Sequence, residues 1–213
     1  MSQTISIKNW NIGSSSDALN AIHQSEINVA IQSREADAFS EEASLLIAQN
    51  INFRSSGDAK SILRELENAL DRKVYDTIVN DVVQQLRNFE YISEGSSFKL
   101  MLATVTSDMC RKFHTDINDL RLLCTYSGPG TLWLEEDNID RKALNSFKED
   151  ELVVIDQSQI QQANTGDVVI LKGATYPKEG TRAGVHRSPS IEEYGSQRLL
   201  LRIDTNEFLT FLE

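Results

Sequence analysis

The sequence predicts an α+β protein, with a mainly helical region over residues 1–95 and a β-rich domain over residues 96–213. Three observations carry this reading. Apolar residues recur at helical period before Gly95. After it they fall into short runs rich in strand formers. Gly- and Pro-bearing turns separate those runs, as in an all-β sandwich or barrel.

In the first region, Ser15-Ser16-Asp17 can cap a short helix through Ile22, because a Ser or Asp side chain accepts from the free N–H groups of a first turn. Ile27 to Ile31 alternates and suits a short strand. Glu41 to Gln49 reads as a second helix. Ser56-Gly57-Asp58 precedes a third, with Ile62, Leu63, Leu66 and Leu70 on one stripe. Val74, Ile78, Val82, Val83 and Leu86 mark a fourth. These stripes are expected to pack on the β-domain. In the second region the predicted strands are Phe98 to Thr106, Arg121 to Tyr126, Thr131 to Leu134, Leu152 to Ile155, Asp167 to Leu171, Ala183 to His186 and Arg198 to Ile203. Ser127-Gly128-Pro129-Gly130 is the strongest turn among them. No internal repeat is visible.

Composition narrows the function. The net charge of −11 repels phosphate backbones and argues against general nucleic-acid binding. No apolar run reaches membrane-spanning length, and the first residues lack the pattern of a secretory signal. The expected location is the cytoplasm. Two cysteines, Cys110 and Cys124, make no disulfide framework and are expected as free thiols.

The chain has three histidines, His23, His114 and His186. His23 lies near a helix end and reads as a surface or capping residue. His114-Thr115-Asp116 sets an imidazole and a carboxylate two residues apart, on one face of a strand. His186, on a later strand, can close a triad. Two imidazoles and one carboxylate on one face of an octahedral ion leave positions open, the arrangement of non-haem Fe(II) oxygenases. The blander alternatives are a surface hydrogen bond within His-x-Asp and a packed, hydrogen-bonded His186. By composition, about one histidine in seven has an acid two positions later by chance. Spacing alone therefore does not decide between these readings.

The flanking residues say more. Phe113 to Asp116, Arg121 to Ser127 and Gly130-Thr131-Leu132 resemble the 2-oxoglutarate and Fe(II)-dependent oxygenase pattern. Thr165 to Ile170 resembles that family's strand before the distal histidine, and Gly195 with Arg198 resembles its Gly-x-Arg element. A longer resemblance, over Cys110 to Asp116, Arg121 to Thr131 and Gly184 to Pro189, is to the uncharacterised bacterial domain-of-unknown-function family 1826.

The oxygenase resemblance implies a C-terminal double-stranded β-helix, a cupin-like jelly roll, with the N-terminal helices buttressing its sheet. It implies Fe(II) and catalysis at His114, Asp116 and His186, with 2-oxoglutarate as co-substrate. Arg198 would bind the far carboxylate, with Arg202 on the same strand face as the alternative. Tyr126 would hydrogen-bond the co-substrate or else pack in the barrel. The reaction implied is hydroxylation of a small molecule or a protein side chain. The alternative is a zinc-linked metal-binding protein of the same fold without oxygenase activity. Zinc stays open because some family members are associated with zinc-homeostasis genes. On a regular strand Cys110 would share a face with Lys112 and His114 and could be a fourth ligand, which would favour zinc; the alternative is a buried free cysteine. Arg121 is expected to pair with an acid, and Trp133 to be a core aromatic. The oligomeric state is left open.

Overall fold

In chain order the elements are β1 (Trp10–Gly13), a 3-10 helix (Ser16–His23), β2 (Val29–Gln32), α1 (Ser40–Ala48), β3 (Asn52–Gly57), α2 (Ala59–Ala69), α3 (Arg72–Ser93), β4 (Phe98–Val105) and β5 (Leu120–Ser127). There follow β6 (Leu132–Trp133), α4 (Arg141–Asn145), α5 (Asp150–Val153), β7 (Gln161–Gln162), β8 (Val168–Lys172), β9 (His186–Arg187) and β10 (Arg198–Thr205). The structure, a computed structural model, describes residues 8–146, 149–193 and 195–205.

The 3-10 helix, α2 and α3 each start where a capping residue stands. Ser15 accepts from the N–H of Asp17, and Asp58 accepts from that of Ser61 at 2.7 Å. Asp71 caps α3 through the N–H of Lys73. The apolar stripes then bury: Ile62 and Leu66 of α2, and Ile78, Val82, Leu86 and Phe89 of α3, are fully inaccessible. Each such side chain contributes about 2 kcal/mol from burial. They meet one face of a seven-stranded sheet of order β1-β2-β8-β5-β10-β4-β3.

Alternation along two central strands divides that sheet. Leu120, Leu122, Cys124 and Tyr126 of β5, with Leu199, Leu201 and Ile203 of β10, belong to the helix-side core. Leu123 and Leu200 face the other way, into a second core that holds Trp133 and Val169. There a small sheet, β7-β6-β9, packs over the large one. All five residues of β8 are buried, as a strand covered on both faces requires. The architecture is thus mixed α+β around one large sheet.

Three strands of that sheet, β1, β2 and β3, come from the region read as mainly helical, and two of them were not expected. β3 is an edge strand of mostly polar residues, Asn-Phe-Arg-Ser-Ser-Gly, and lacks the apolar alternation that marks a strand. Two expected strands also change. A strand is expected over Leu152 to Ile155, but α5 occupies Asp150–Val153, and Val154 keeps only an isolated bridge to Ile139. The strand expected over Ala183 to His186 is confined to His186–Arg187. Among the described residues, no helix is long and apolar enough to cross a membrane.

Candidate metal centre

His114, Asp116 and His186 converge, each offering a ligand atom within 4.8 Å of the others. Regular strand alternation is not the cause. His114 lies outside any strand and pairs with His186 across an isolated antiparallel bridge. The N–H of each donates to the carbonyl of the other at 3.0 Å. That brings the rings to 4.6 Å between centroids.

Asp116 follows in a turn that is tied to the exit of β8. Gly173 N–H donates to the Asp119 carbonyl, Ala174 N–H to that of Asp116, both at 2.8 Å, and Thr175 N–H to that of Asn118 at 3.2 Å. Position 173 must be glycine, because a Cβ there would lie 1.8 Å from the Asn118 carbonyl oxygen.

The imidazoles present their free nitrogens inward. His114 Nδ1 lies 3.0 Å from the Lys112 carbonyl, and His186 Nδ1 lies 3.3 Å from that of Gly184. A carbonyl only accepts, so each Nδ1 carries a proton, and in the neutral ring each Nε2 carries a lone pair. His186 Nε2 stands 3.3 Å from Asp116 Oδ2, and His114 Nε2 stands 3.7 Å from Asp116 Oδ1. Burial holds His186 down at about 4, so it is neutral near pH 7. Burial pushes the Asp116 carboxyl up. In the low pH range where it titrates, protonated His114 donates to it, and the charges of protonated His186 and of Arg121 add to this, leaving the group at about 2. The hydrogen bond to Asp116 in turn raises His114 above its ordinary value.

Asp116 Oδ2 is buried and accepts no hydrogen bond. An anionic oxygen facing a nitrogen lone pair is unfavourable unless a cation lies between them. Two donors about 2.1 Å from one ion stand about 3.0 Å apart at right angles and about 3.4 Å apart at the tetrahedral angle, and the 3.3 Å between His186 and Asp116 falls in that range. The residues therefore fit a metal ion.

Arg198 lines the same cleft, with His114, Arg121, Leu123, His186 and Leu200. It is 1% exposed. Its guanidinium donates to Thr125 Oγ1 at 2.9 Å, and its Nε has no partner. Burial alone pulls it down to about 10. Arg202 also lines the cleft, with its Nε 3.0 Å from Asp204 Oδ2. The free volume among these side chains is about 40 Å³.

Tyr126 is not brought to this cleft. One register step along β5 turns it to the helix side, where its hydroxyl donates to Asp81 Oδ2 at 2.7 Å. Its expected contact with a co-substrate is corrected accordingly. Its alternative, an aromatic packed in the core, matches its contact with Phe39 at 5.1 Å. Cys110 is exposed on the cleft wall and outside the ligand cluster. The chain around it is irregular, so it does not share a strand face with His114.

Arg121 pairs with acids, as expected, and donates to both Asp116 and Asp204; the candidate ligand itself is one of its partners. One residue has a role the sequence did not reveal. Thr125 fixes Arg198, a pairing visible only once β5 and β10 are known to be neighbours.

Fold and site together describe a mixed α+β protein whose His-Asp-His cluster stands beside a buried arginine. Two solved structures share the fold. The rice dioxygenase for auxin oxidation superposes with a TM-score of 0.50 at 12% identity, over 93% of this chain and 82% of the other. The Arabidopsis thaliana dioxygenase for auxin oxidation 1, in its 2-oxoglutarate complex, gives 0.50 at 10% identity, over 93% and 92%. No curated protein matches the chain. The chain belongs to the family described as "Protein of unknown function (DUF1826)", which matches residues 13–204.

Proposed function

We propose that this protein is an Fe(II) and 2-oxoglutarate-dependent oxygenase that hydroxylates a small molecule or a protein side chain. The observation that carries the reading is Arg198. It is a buried cation without an acidic partner among the described residues, in the same cleft as the triad. A buried charge left unpaired is costly, and a carboxylate is the natural complement of a guanidinium fork. In this reading the strands after residue 95 build a double-stranded β-helix, and the earlier helices buttress it.

His114, Asp116 and His186 would hold the iron through two Nε2 atoms and a carboxylate oxygen. When bound, Fe(II) with 2-oxoglutarate and oxygen supplies oxidative hydroxylation coupled to decarboxylation. The chain's own residues bind and orient. Arg198, steadied by Thr125, pairs with the far carboxylate of 2-oxoglutarate. Arg121 neutralises Asp116 and fixes the direction of its carboxylate. Leu123 and Leu200 exclude water from the cleft floor. With about 40 Å³ free, entry of a five-carbon diacid requires the Arg202 or Arg121 side chain to swing aside.

The ligand set of two imidazoles and one carboxylate, without sulfur, favours iron over a closed zinc site. Anaerobic titration with Fe(II) and then 2-oxoglutarate tests the proposal. A weak charge-transfer band in the green is expected. Absence of the band, together with tight zinc retention, favours the zinc-linked alternative.

A further inference from the structure

A second cavity, of about 460 Å³, lies across β10, β4 and β3. Its lining includes Arg54, Ser56, Lys99, Met101 and Arg202. Arg202 also lines the metal cleft, so the two cavities meet at one side chain. The register fixes this arrangement. Leu123, Arg202, Met101 and Arg54 form one row across β5, β10, β4 and β3, and Arg121, Asp204, Lys99 and Ser56 form the next. Strands stand about 4.8 Å apart, so Arg54 lies about 10 Å from Arg202 along its row.

The charge of this groove runs against that of the chain. The whole sequence carries −11, yet three cations line the groove against one carboxylate, Glu65; Arg202 is paired with Asp204, which leaves Arg54 and Lys99. Glu65 accepts from Ser55 Oγ at 2.6 Å. Arg54 is bonded to Asn52 Oδ1 at 3.0 Å. Among the described residues, neither Arg54 nor Lys99 is within ion-pair distance of an acid, although acids outnumber bases in the chain. Two solvated cations side by side repel each other weakly, and a shared oxyanion removes that repulsion. The volume suits a metabolite-sized ligand.

We propose that this groove is an oxyanion subsite holding the acidic end of the primary substrate, a small molecule bearing a phosphate or carboxylate group. This rests on the oxygenase reading. The anion sits at Arg54 and Lys99, Met101 packs beneath the body of the molecule, and the reacting carbon reaches past Arg202 to the metal cleft. A molecule roughly 10 Å long spans the two, by the strand spacing above.

The test is backbone amide NMR of the full chain, titrated with inorganic phosphate and separately with propane-1,2,3-tricarboxylate. Saturable shifts are expected at Ser56, Lys99 and Met101, and the stronger probe identifies the anion class. R54E/K99E should weaken this binding at least tenfold, with R54Q/K99Q as the milder variant should the first misfold. Shifts that do not saturate, that spread equally to the helix cations Lys60 and Arg64, or that persist in both variants would overturn the proposal. H114A should keep the anion shifts while losing metal, so failure of the metal reading is told apart from failure of this one. In a screen for compounds that stimulate succinate release, hits lacking any anionic group would also overturn it.

Discussion

His114 and His186 each donate a backbone N–H to the other's carbonyl, at 3.0 Å in both directions. Directly opposed antiparallel residues project their side chains to the same side, so this pair of hydrogen bonds sets two imidazoles together before any ion arrives. Asp116 then needs only a short turn to complete the cluster. Replacing any one of the three by Ala should lower Fe(II) affinity by more than about 100-fold, since even residues that merely orient ligands contribute about 10–100-fold. H114A should keep the native melting transition, because its ring is partly exposed. Metal content measured after dialysis checks this. Unchanged content in D116A would remove the site assignment.

Arg198 yields a prediction of opposite signs. Removing a buried, uncompensated charge relieves its desolvation cost, and even a buried ion pair replaced by apolar chains is often neutral or stabilising, by up to roughly 4 kcal/mol. R198M should therefore unfold at higher urea without ligand while losing its response to 2-oxoglutarate. Lower stability together with normal co-substrate binding would show that Arg198 serves the fold alone.

Tyr126 separates the two faces of the sheet. Y126F removes a hydrogen bond to the half-buried Asp81, which also accepts from Arg34 and Gln85. The expected loss is about 1–2 kcal/mol of stability, with 2-oxoglutarate affinity unchanged. A raised dissociation constant in Y126F would place its hydroxyl in the chemistry after all.

The cysteines should differ in reactivity. Cys110 is exposed, whereas burial pushes the Cys124 thiol up to about 12. A thiol reagent at pH 8 should label one cysteine in the native protein and two in the unfolded one. Rapid labelling of both in the native state would contradict the packing of β5.

Lys172 gives a pH dependence. It is 1% exposed, and burial holds it down at about 8. The unfolded chain keeps its lysine near 10.5, so between pH 8 and 10.5 the unfolded state binds more protons. Stability should rise with pH across that window. K172M should flatten the rise in urea unfolding curves taken at several pH values.

Much of this was legible in the sequence because the signals were local. Ser15, Asp58 and the stripe of Ile62 and Leu66 define helices within a few residues of themselves. β5, β8 and β10 declare themselves as continuous apolar runs. The three candidate ligands were legible by residue type and flanking motif. What was not legible depends on pairing. β3 owes its existence to the ladder with β4, and its own side chains are polar. Tyr126 was misplaced because motif order does not tell which face of a strand a residue takes. The join between the two cavities at Arg202 exists only through the register of four strands.

Gly173 carries a last consequence. It touches no ligand atom and stands far along the chain from Asp116, yet its missing side chain lets the Asp116 turn lie against the end of β8. G173A would force the Asn118 carbonyl, and with it the whole turn, away from the imidazoles. The aim of the carboxylate is therefore written partly in a position with no chemistry of its own, and a mutational survey confined to polar residues around the ion would pass over it.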